Sequence, residues 1–397
     1  MANRPLRVAW DNSLARRNPT GGGVYATQLI RELNANSGVD LKIFEGWDAK
    51  RRPGEFGSQS ILARAKRGLN GLFWSHTYFP YMVRKENFDV VHSPAFVVPF
   101  ICPCPSVVTF YDVTHLKFPE DFEARWRSYL NVVLPMSLRR ASAIICISEH
   151  TRRDLLAHYK VAEDKLHVIY CGVDSARFHE GVSLDREWAS SLGLRPDYVL
   201  HVGAFSRRKN IPMLLRAVAS LKAKGKFKDR QLVLAGPELS VLAGASEIHQ
   251  GIQELGLQDT VVFTGHIPDN QIPGLYAGAR ILVFPSLYEG FGLPVLEGMA
   301  VGTPVITSNA SSMPEVGGDA AVLLPPEEPE LWANAIRELL ESDSRADELR
   351  RKGVTRARQF TWERAASQTL EVYKKVAKGS QRIAGNNRLG ETKSRQA

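Results

Sequence analysis

Short runs of β-branched and aliphatic residues recur from end to end of this chain, separated by stretches of helical period. In the first half they are "LRVAWD", "DLKIFEG", "DVVHSP", "SVVTFYD", "ASAIICIS" and "KLHVIYCGV"; in the second, "YVLHVGA", "QLVLAGP", "VVFTGH", "ILVFPS", "PVITSN" and "AAVLLPP". The runs are apolar throughout rather than alternating, as expected of strands covered on both faces, and helices between them imply parallel sheets. The expected class is therefore α/β, with each half forming its own doubly wound, Rossmann-like domain. A length of 397 residues fits two domains. We expect a first domain over 1–178, a polar linker over 179–196, and a second domain over 197–360. A helix over 361–378 is expected to pack back on the first domain, leaving a basic mobile tail over 379–397.

Composition narrows the partners. The formal net charge is +9, which suits nucleic acid, anionic lipid or a phosphorylated small molecule. Part of the excess lies in the tail, and another part in Lys50, Arg51, Arg52, Arg64, Lys66 and Arg67. No zinc-finger, RNA-binding or helix-turn-helix signature accompanies either group, so nucleic acid is not the expected partner. Cys102, Cys104, Cys146 and Cys171 lack a CxxC spacing and read as reduced packing residues. No apolar leader interrupts the first thirty residues, and no run reaches the length of a membrane span. A cytoplasmic protein is expected.

Three glycine or basic stretches follow strands, and ligands of doubly wound sheets bind at the carboxyl ends of strands. The richest is "PSLYEGFGLPVLEGMAVGTPVITSN", Pro285–Asn309, with Glu289 and Glu297 eight residues apart. Pro294 suits the first turn of a short helix and Gly302 its exit. Gly290 and Gly292 are free to take positive φ and let amides approach an anion. Two carboxylates beside such a site make sense if each accepts hydroxyls, as from a sugar or ribose. On spacing alone, solvent-facing carboxylates at a strand-to-helix turn fit equally well. In "VGAFSRRKNIPMLLRA", Val202–Ala217, Asn210 is placed to cap a helix, and Arg207, Arg208 and Lys209 stand before its N-terminus. Cations belong there if an anion sits between them; a solvated basic loop is the alternative. In "PTGGGVYATQLIREL", Pro19–Leu33, three glycines before an amphipathic helix resemble a phosphate-approach loop, with neither a P-loop nor a GxGxxG pattern.

Together these stretches resemble glycosyltransferase family 4, the group 1 retaining glycosyltransferases. "EGFGLPVLE" is similar to the family's E-x7-E signature. "VGAFSRRKN", "TGHIPDNQIPGLYAGARILVFPS", "MPEVGGDAAVL" and the segment "ICISEHTRRDLLAHYKVAEDKLHVIYCGVD" occur in the family's order. The resemblance spans roughly residues 1–378 and is densest over 198–325. It implies GT-B architecture, two Rossmann-like domains facing across a cleft. It further implies that Arg208 and Lys209 bind the donor diphosphate, that Glu297 holds the nucleotide ribose, and that Glu289 holds the transferred sugar. By the same resemblance the amides of Gly290, Phe291, Gly292 and Leu293 complete the donor contacts, Gly22 and Gly23 approach from the first domain, and Ile267 lines the base pocket. Two departures stand out. Gly203-Ala204 replaces the common Gly-Arg, and Tyr111-Asp112 replaces the common His-Asp, so that Asp112 and His115 become the acceptor-side candidates.

Breaking an anomeric bond to a nucleoside diphosphate builds negative charge on the leaving group, which preorganised cations and amides stabilise. With Arg208 and Lys209 in that role, and no Asp-x-Asp in the chain, no metal or other cofactor is expected. The resemblance leans to a mannosyltransferase using GDP-mannose and acting in polysaccharide or glycoconjugate assembly, with retention at the anomeric carbon. The expected acceptor is a saccharide or lipid-linked saccharide, and the basic group at Lys50–Arg67 is placed to meet anionic membrane at its inner face. A UDP-sugar-dependent transferase of the same family, a nucleotide-sugar epimerase and a non-catalytic sugar-nucleotide sensor are the alternatives.

Overall fold

The computed structural model describes residues 4–15, 21–46, 71, 73–237 and 245–394. The basic group at Lys50–Arg67 lies outside the described residues.

All twelve expected strands form, in two six-stranded parallel sheets. The first contains β1 (Leu6–Asp11), β2 (Val39–Phe44), β3 (Val90–Ser93), β4 (Ser106–Phe110), β5 (Ala143–Cys146) and β6 (Leu166–Val168), in the order β2-β1-β3-β4-β5-β6. The second contains β7 (Tyr198–Val202), β8 (Leu232–Ala235), β9 (Val261–Gly265), β10 (Ala279–Phe284), β11 (Val305–Ser308) and β12 (Val322–Leu324), in the order β12-β11-β10-β7-β8-β9. Every residue of β3, β4, β5, β8 and β11 is buried. Helices on both faces leave these strands no solvent side, which is why their sequences do not alternate.

Contacts divide the chain into two compact units. One comprises residues 1–112, 128–171 and 362–397; the other comprises 113–127 and 172–361. The division departs from the sequence reading in two places. Residues 113–127 and 172–178, expected in the first domain, belong to the second unit, the latter together with the whole stretch expected as a linker. That stretch also contains a helix, Arg186–Ser191, opened by Asp185, whose Oδ1 accepts from the amides of Glu187 and Trp188 at 3.1 and 3.0 Å. A six-residue helix is too short to show a period, although Asp185 is a legible cap.

The last helix, Trp362–Ser394, continues over residues 379–394 of the stretch expected as a mobile tail. Trp362, Ala365, Ala366, Thr369, Leu370, Tyr373 and Ala377 form its buried stripe in the first unit, at helical spacing. A buried polar chain anchors it there. Tyr373 Oη lies 2.5 Å from His92 Nδ1, His92 Nε2 lies 2.9 Å from Thr109 Oγ1, and Thr109 Oγ1 lies 3.1 Å from Tyr25 Oη. The chain thus joins the helix to β3, β4 and the helix Gly21–Ala35. Burial drives the His92 imidazole down to about 3, so it is neutral and needs one donor and one acceptor. Tyr373→Phe removes one of these and leaves a buried ring nitrogen unpaired. The expected cost is about 1–3 kcal/mol, read as a lower urea midpoint at unchanged m. An unaltered midpoint would show that the contact contributes nothing.

Candidate active site

In the second sheet β7 and β10 lie side by side, and the connections from them leave in opposite directions along the sheet. This is the topological switch point, where an open α/β sheet leaves a crevice at its carboxyl edge. The basic loop follows β7 and the two-glutamate loop follows β10, so the two richest stretches of the sequence meet there.

Their meeting point is one carboxylate oxygen. Arg208 Nη1 lies 2.5 Å and Lys209 Nζ 2.6 Å from Glu289 Oε1. Arg208 also donates to the Tyr288 carbonyl at 3.3 Å. Lys209 is buried, its ammonium 4.3 Å from the centre of the Phe284 ring. Gly203 makes room for it: the backbone there has φ +149°, and a Cβ would stand 3.0 Å from Lys209 Cε. Beneath lies His201, stacked on Phe284 and kept neutral by burial, which pulls it down to about 4.

Burial alone would raise the Glu289 carboxyl, but the adjacent Arg208 and Lys209 outweigh it and hold it at about 2. Two cations share this one carboxylate oxygen. Burial is the main reason that Lys209 falls to about 8 despite its partner, with Arg208 pushing the same way. Both cations therefore converge on one point, and the buried one is held in a low-dielectric place, which suits an anion.

The loops are held by residues that the sequence reading did not single out. Asn210 occupies the N-cap position expected of it, but its side chain makes no capping hydrogen bond. Its backbone is left-handed at φ +57°, and its Nδ2 donates to the Pro285 carbonyl at 3.3 Å and the Pro326 carbonyl at 2.6 Å. The amide thus ties one loop to the other. The Glu289 amide donates to Ser311 Oγ at 3.0 Å, and Ser312 Oγ donates to the Glu289 and Phe291 carbonyls at 2.9 and 2.7 Å. No local pattern marks serines twenty-odd residues away as supports. Of the two glycines, only Gly292 takes positive φ, at +118°, and a Cβ there would meet Met313 Cε at 2.4 Å.

Glu297 sits on the helix Leu293–Ala300, which Gly292 opens with Pro294 in its first turn. Tyr276 Oη donates to its Oε2 at 2.9 Å. Burial raises this carboxyl to about 7, against the opposing hydrogen bond from Tyr276. Two glutamates eight residues apart are thus pushed to opposite sides of the ordinary carboxylate value, Glu289 down to about 2 and Glu297 up to about 7.

The remaining candidates spread out. Ile267 is buried just beyond the carboxyl end of β9, and the Phe291 ring packs 5.9 Å from Phe360, so only its backbone faces the loop chemistry. Leu293 is half-buried. His115 is buried in the short helix Thr114–Lys117 of the second unit, whereas Asp112 ends the first unit's portion of the chain, so the pair is divided between the units. Gly22 and Gly23 belong to the first turn of the helix Gly21–Ala35 rather than to a loop before it. The Tyr111 hydroxyl donates to the Gly22 carbonyl at 3.4 Å, and its ring packs on Tyr25 and Phe96. Among the described residues no group of three or more His, Cys, Asp or Glu side chains could hold a metal ion.

Two doubly wound units, with cations and carboxylates at the switch point of the second, define a glycosyltransferase of the GT-B fold. Residues 186–360 match the family described as glycosyl transferases group 1, and residues 19–177 match glycosyltransferase family 4. The chain is 31% identical to O-antigen chain mannosyltransferase B of Escherichia coli, over 89% of this chain and 96% of that one. It is also 31% identical to the MMP alpha-(1->4)-mannosyltransferase of Mycolicibacterium hassiacum, over 94% and 98%. Among solved structures, sucrose-phosphate synthase from Thermosynechococcus elongatus superposes with a TM-score of 0.71 at 22% identity, covering 93% of this chain and 98% of that one, a likeness of fold. The chain belongs to the family 4, group 1 glycosyltransferases.

Removing the shared anion tests the electrostatics directly. Glu289→Gln takes the counter-charge from buried Lys209 and half-buried Arg208 and is expected to cost roughly 3–5 kcal/mol of stability. Pyrophosphate should restore part of that loss and raise the melting temperature of the variant more than that of the wild type. Equal shifts would mean that the cations are not the anion site.

Proposed function

We propose that the chain is a retaining mannosyltransferase that moves mannose from GDP-mannose to a saccharide or lipid-linked saccharide acceptor in polysaccharide or glycoconjugate assembly. The observation that carries the reading is the convergence of Arg208 and Lys209 on one oxygen of Glu289 at the sheet's switch point. Two relatives matched over nearly their whole length are mannosyltransferases, which favours mannose.

In this reading the donor diphosphate replaces Glu289 as the partner of the two cations. Arg208, Lys209 and the amides of the Gly290–Leu293 turn stabilise the charge that grows on the leaving phosphate. These groups do what a metal ion does in other transferases, so turnover is metal-independent. Glu289, released from the cations, accepts hydroxyls of the transferred sugar, whose ring gains positive charge as the bond breaks. Glu297 accepts the ribose hydroxyls, which do not react. Reaction with retention lets the departing phosphate take the acceptor's proton on the same face. Gly22 and Gly23 approach the diphosphate, Ile267 borders the base, and Asp112 and His115 serve the acceptor. The work is done in the cytoplasm, at the inner face of the membrane where the acceptor is lipid-linked; no helix among the described residues is long and apolar enough to cross a membrane.

Incubation with a panel of nucleotide sugars in excess EDTA tests the reading. Diphosphate release should be fastest from GDP-mannose. Isomerised donor without release would indicate an epimerase, binding without turnover a sensor, and loss of activity restored by magnesium a metal-dependent enzyme.

The two glutamates should fail differently. Bonds from Glu297 exist in ground and transition states alike, so Glu297→Ala should raise the donor KM about ten- to hundred-fold with little change in kcat. Glu289→Ala should lower kcat by a similar factor, the worth of one charged hydrogen bond. The reverse pattern would exchange the two roles.

Acidity adds a second handle on Glu297. The free enzyme holds this carboxyl at about 7, and only its ionised form accepts from both ribose hydroxyls. As pH falls through 7 the carboxyl protonates, so donor kcat/KM should drop with an inflection near that value. Glu297→Gln should flatten this inflection, and a profile that keeps it assigns the titration to another group.

A further inference from the structure

Residues 113–127 leave β4 of the first sheet yet pack into the second unit, and they are seated on the residue next to Glu289. The Val113 amide donates to Tyr288 Oη at 3.0 Å, Lys117 Nζ stands 4.4 Å from the centre of the Tyr288 ring, and Phe118 lies against the same ring at 6.3 Å. Arg127 Nη1 closes the segment by donating to the Pro119 carbonyl at 3.3 Å. Within it, the turn Pro119–Asp121 presents Asp121 toward the basic loop, where Arg208 and Arg207 are the cations acting on its carboxylate.

Both Asp121 carboxylate oxygens are buried, and neither has a hydrogen-bond partner. Burial accordingly raises the carboxyl, against the pull of the two arginines. A shielded carboxylate without donors is costly, and a native chain keeps one where a ligand supplies the donors. Arg208 acts on this carboxylate through charge and not through a hydrogen bond, since neither oxygen has a partner. Phosphate cannot supply the donors, because it brings acceptors and negative charge. Hydroxyl groups can. The donor's sugar and ribose hydroxyls already have Glu289 and Glu297, which leaves the second substrate.

We propose that Asp121 is a specificity-determining residue for the acceptor, its carboxylate accepting hydroxyls of the hexose that receives the transferred sugar. This rests on the transferase reading above. The segment 113–127 is then the part of the second unit that reads the acceptor, and Tyr288 fixes it to the loop that carries Glu289.

The test uses the full chain with GDP-mannose and, as acceptors, p-nitrophenyl α-mannoside, β-mannoside, α-glucoside and β-galactoside. Asp121→Asn keeps the shape and removes the charge. It should raise KM for the best acceptor about ten- to hundred-fold, with donor KM within about two-fold and an unchanged melting temperature. Asp121→Glu should recover part of the loss. A raised donor KM with unchanged acceptor KM would assign Asp121 to positioning Arg208 and overturn the proposal, as would wild-type values for both. Donor cleavage by the wild type with none of the four hexosides glycosylated would also overturn it. If no nucleotide sugar is consumed at all, the transferase reading fails, and the inference with it.

Discussion

A buried lysine and a half-buried arginine held by one carboxylate oxygen set the terms for the second unit. Lys209 is tolerable inside the protein only because Glu289 meets its ammonium, Phe284 offers a ring face and Gly203 leaves space for its stem. Arg208 draws on the same oxygen. The arrangement requires the loops after β7 and β10 to stay in register. The Leu287 amide donates to the Arg208 carbonyl at 2.8 Å, and Asn210 spans from one loop to the backbone of the other. Parallel pairing of β7 with β10 brings the loop origins together, and the switch in chain direction opens the space between them.

How much of this the sequence discloses follows from the range of the physics involved. Strands with apolar runs announce themselves by composition, so all twelve are legible, including β2 and β12, which are only partly buried, and so is the identity of the loops at their carboxyl ends. Although solvated loops fit the same spacing, Arg208, Lys209, Glu289 and Glu297 are legible as candidates because charges beside glycines at strand ends suit a ligand. Their connection is not. Nothing local indicates that both cations take the same oxygen, that the Asn210 side chain ties loops instead of capping a helix, or that Ser311 and Ser312 hold the glutamate loop. Those are contacts between segments about twenty to more than a hundred residues apart. Likewise residues 113–127 read as an ordinary connection after β4, and only tertiary packing against Tyr288 assigns them to the second unit.

The first unit depends on a different device. Its last helix comes from the far end of the chain, after the whole second unit, and must be recognised by a sheet formed from residues hundreds of positions earlier. An apolar stripe alone would allow sliding along the groove. The chain Tyr373–His92–Thr109–Tyr25 fixes one register, since each displaced partner would leave a buried polar atom unpaired. The chain crosses between the units and returns, and this polar contact specifies where the return is anchored.

The paired glutamates show how one short motif yields two chemistries. Both sit near the switch point within one loop and one helical turn, and burial pushes both carboxyls upward. Glu289 has two cations and is held ionised throughout the physiological range. Glu297 has a neutral phenol, a single hydrogen bond too weak to offset burial, and titrates near neutrality. Pushing two carboxyl acidities apart by environment is how a site assigns different duties to like groups. The helix start at Gly292 is what separates the environments. Glu289 stays on the β10 side with the cations, while the first turn carries Glu297 round to Tyr276. A shorter spacing would leave both carboxylates on the loop, in competition for Arg208 and Lys209. Seven intervening residues with a glycine at the turn are enough to part them.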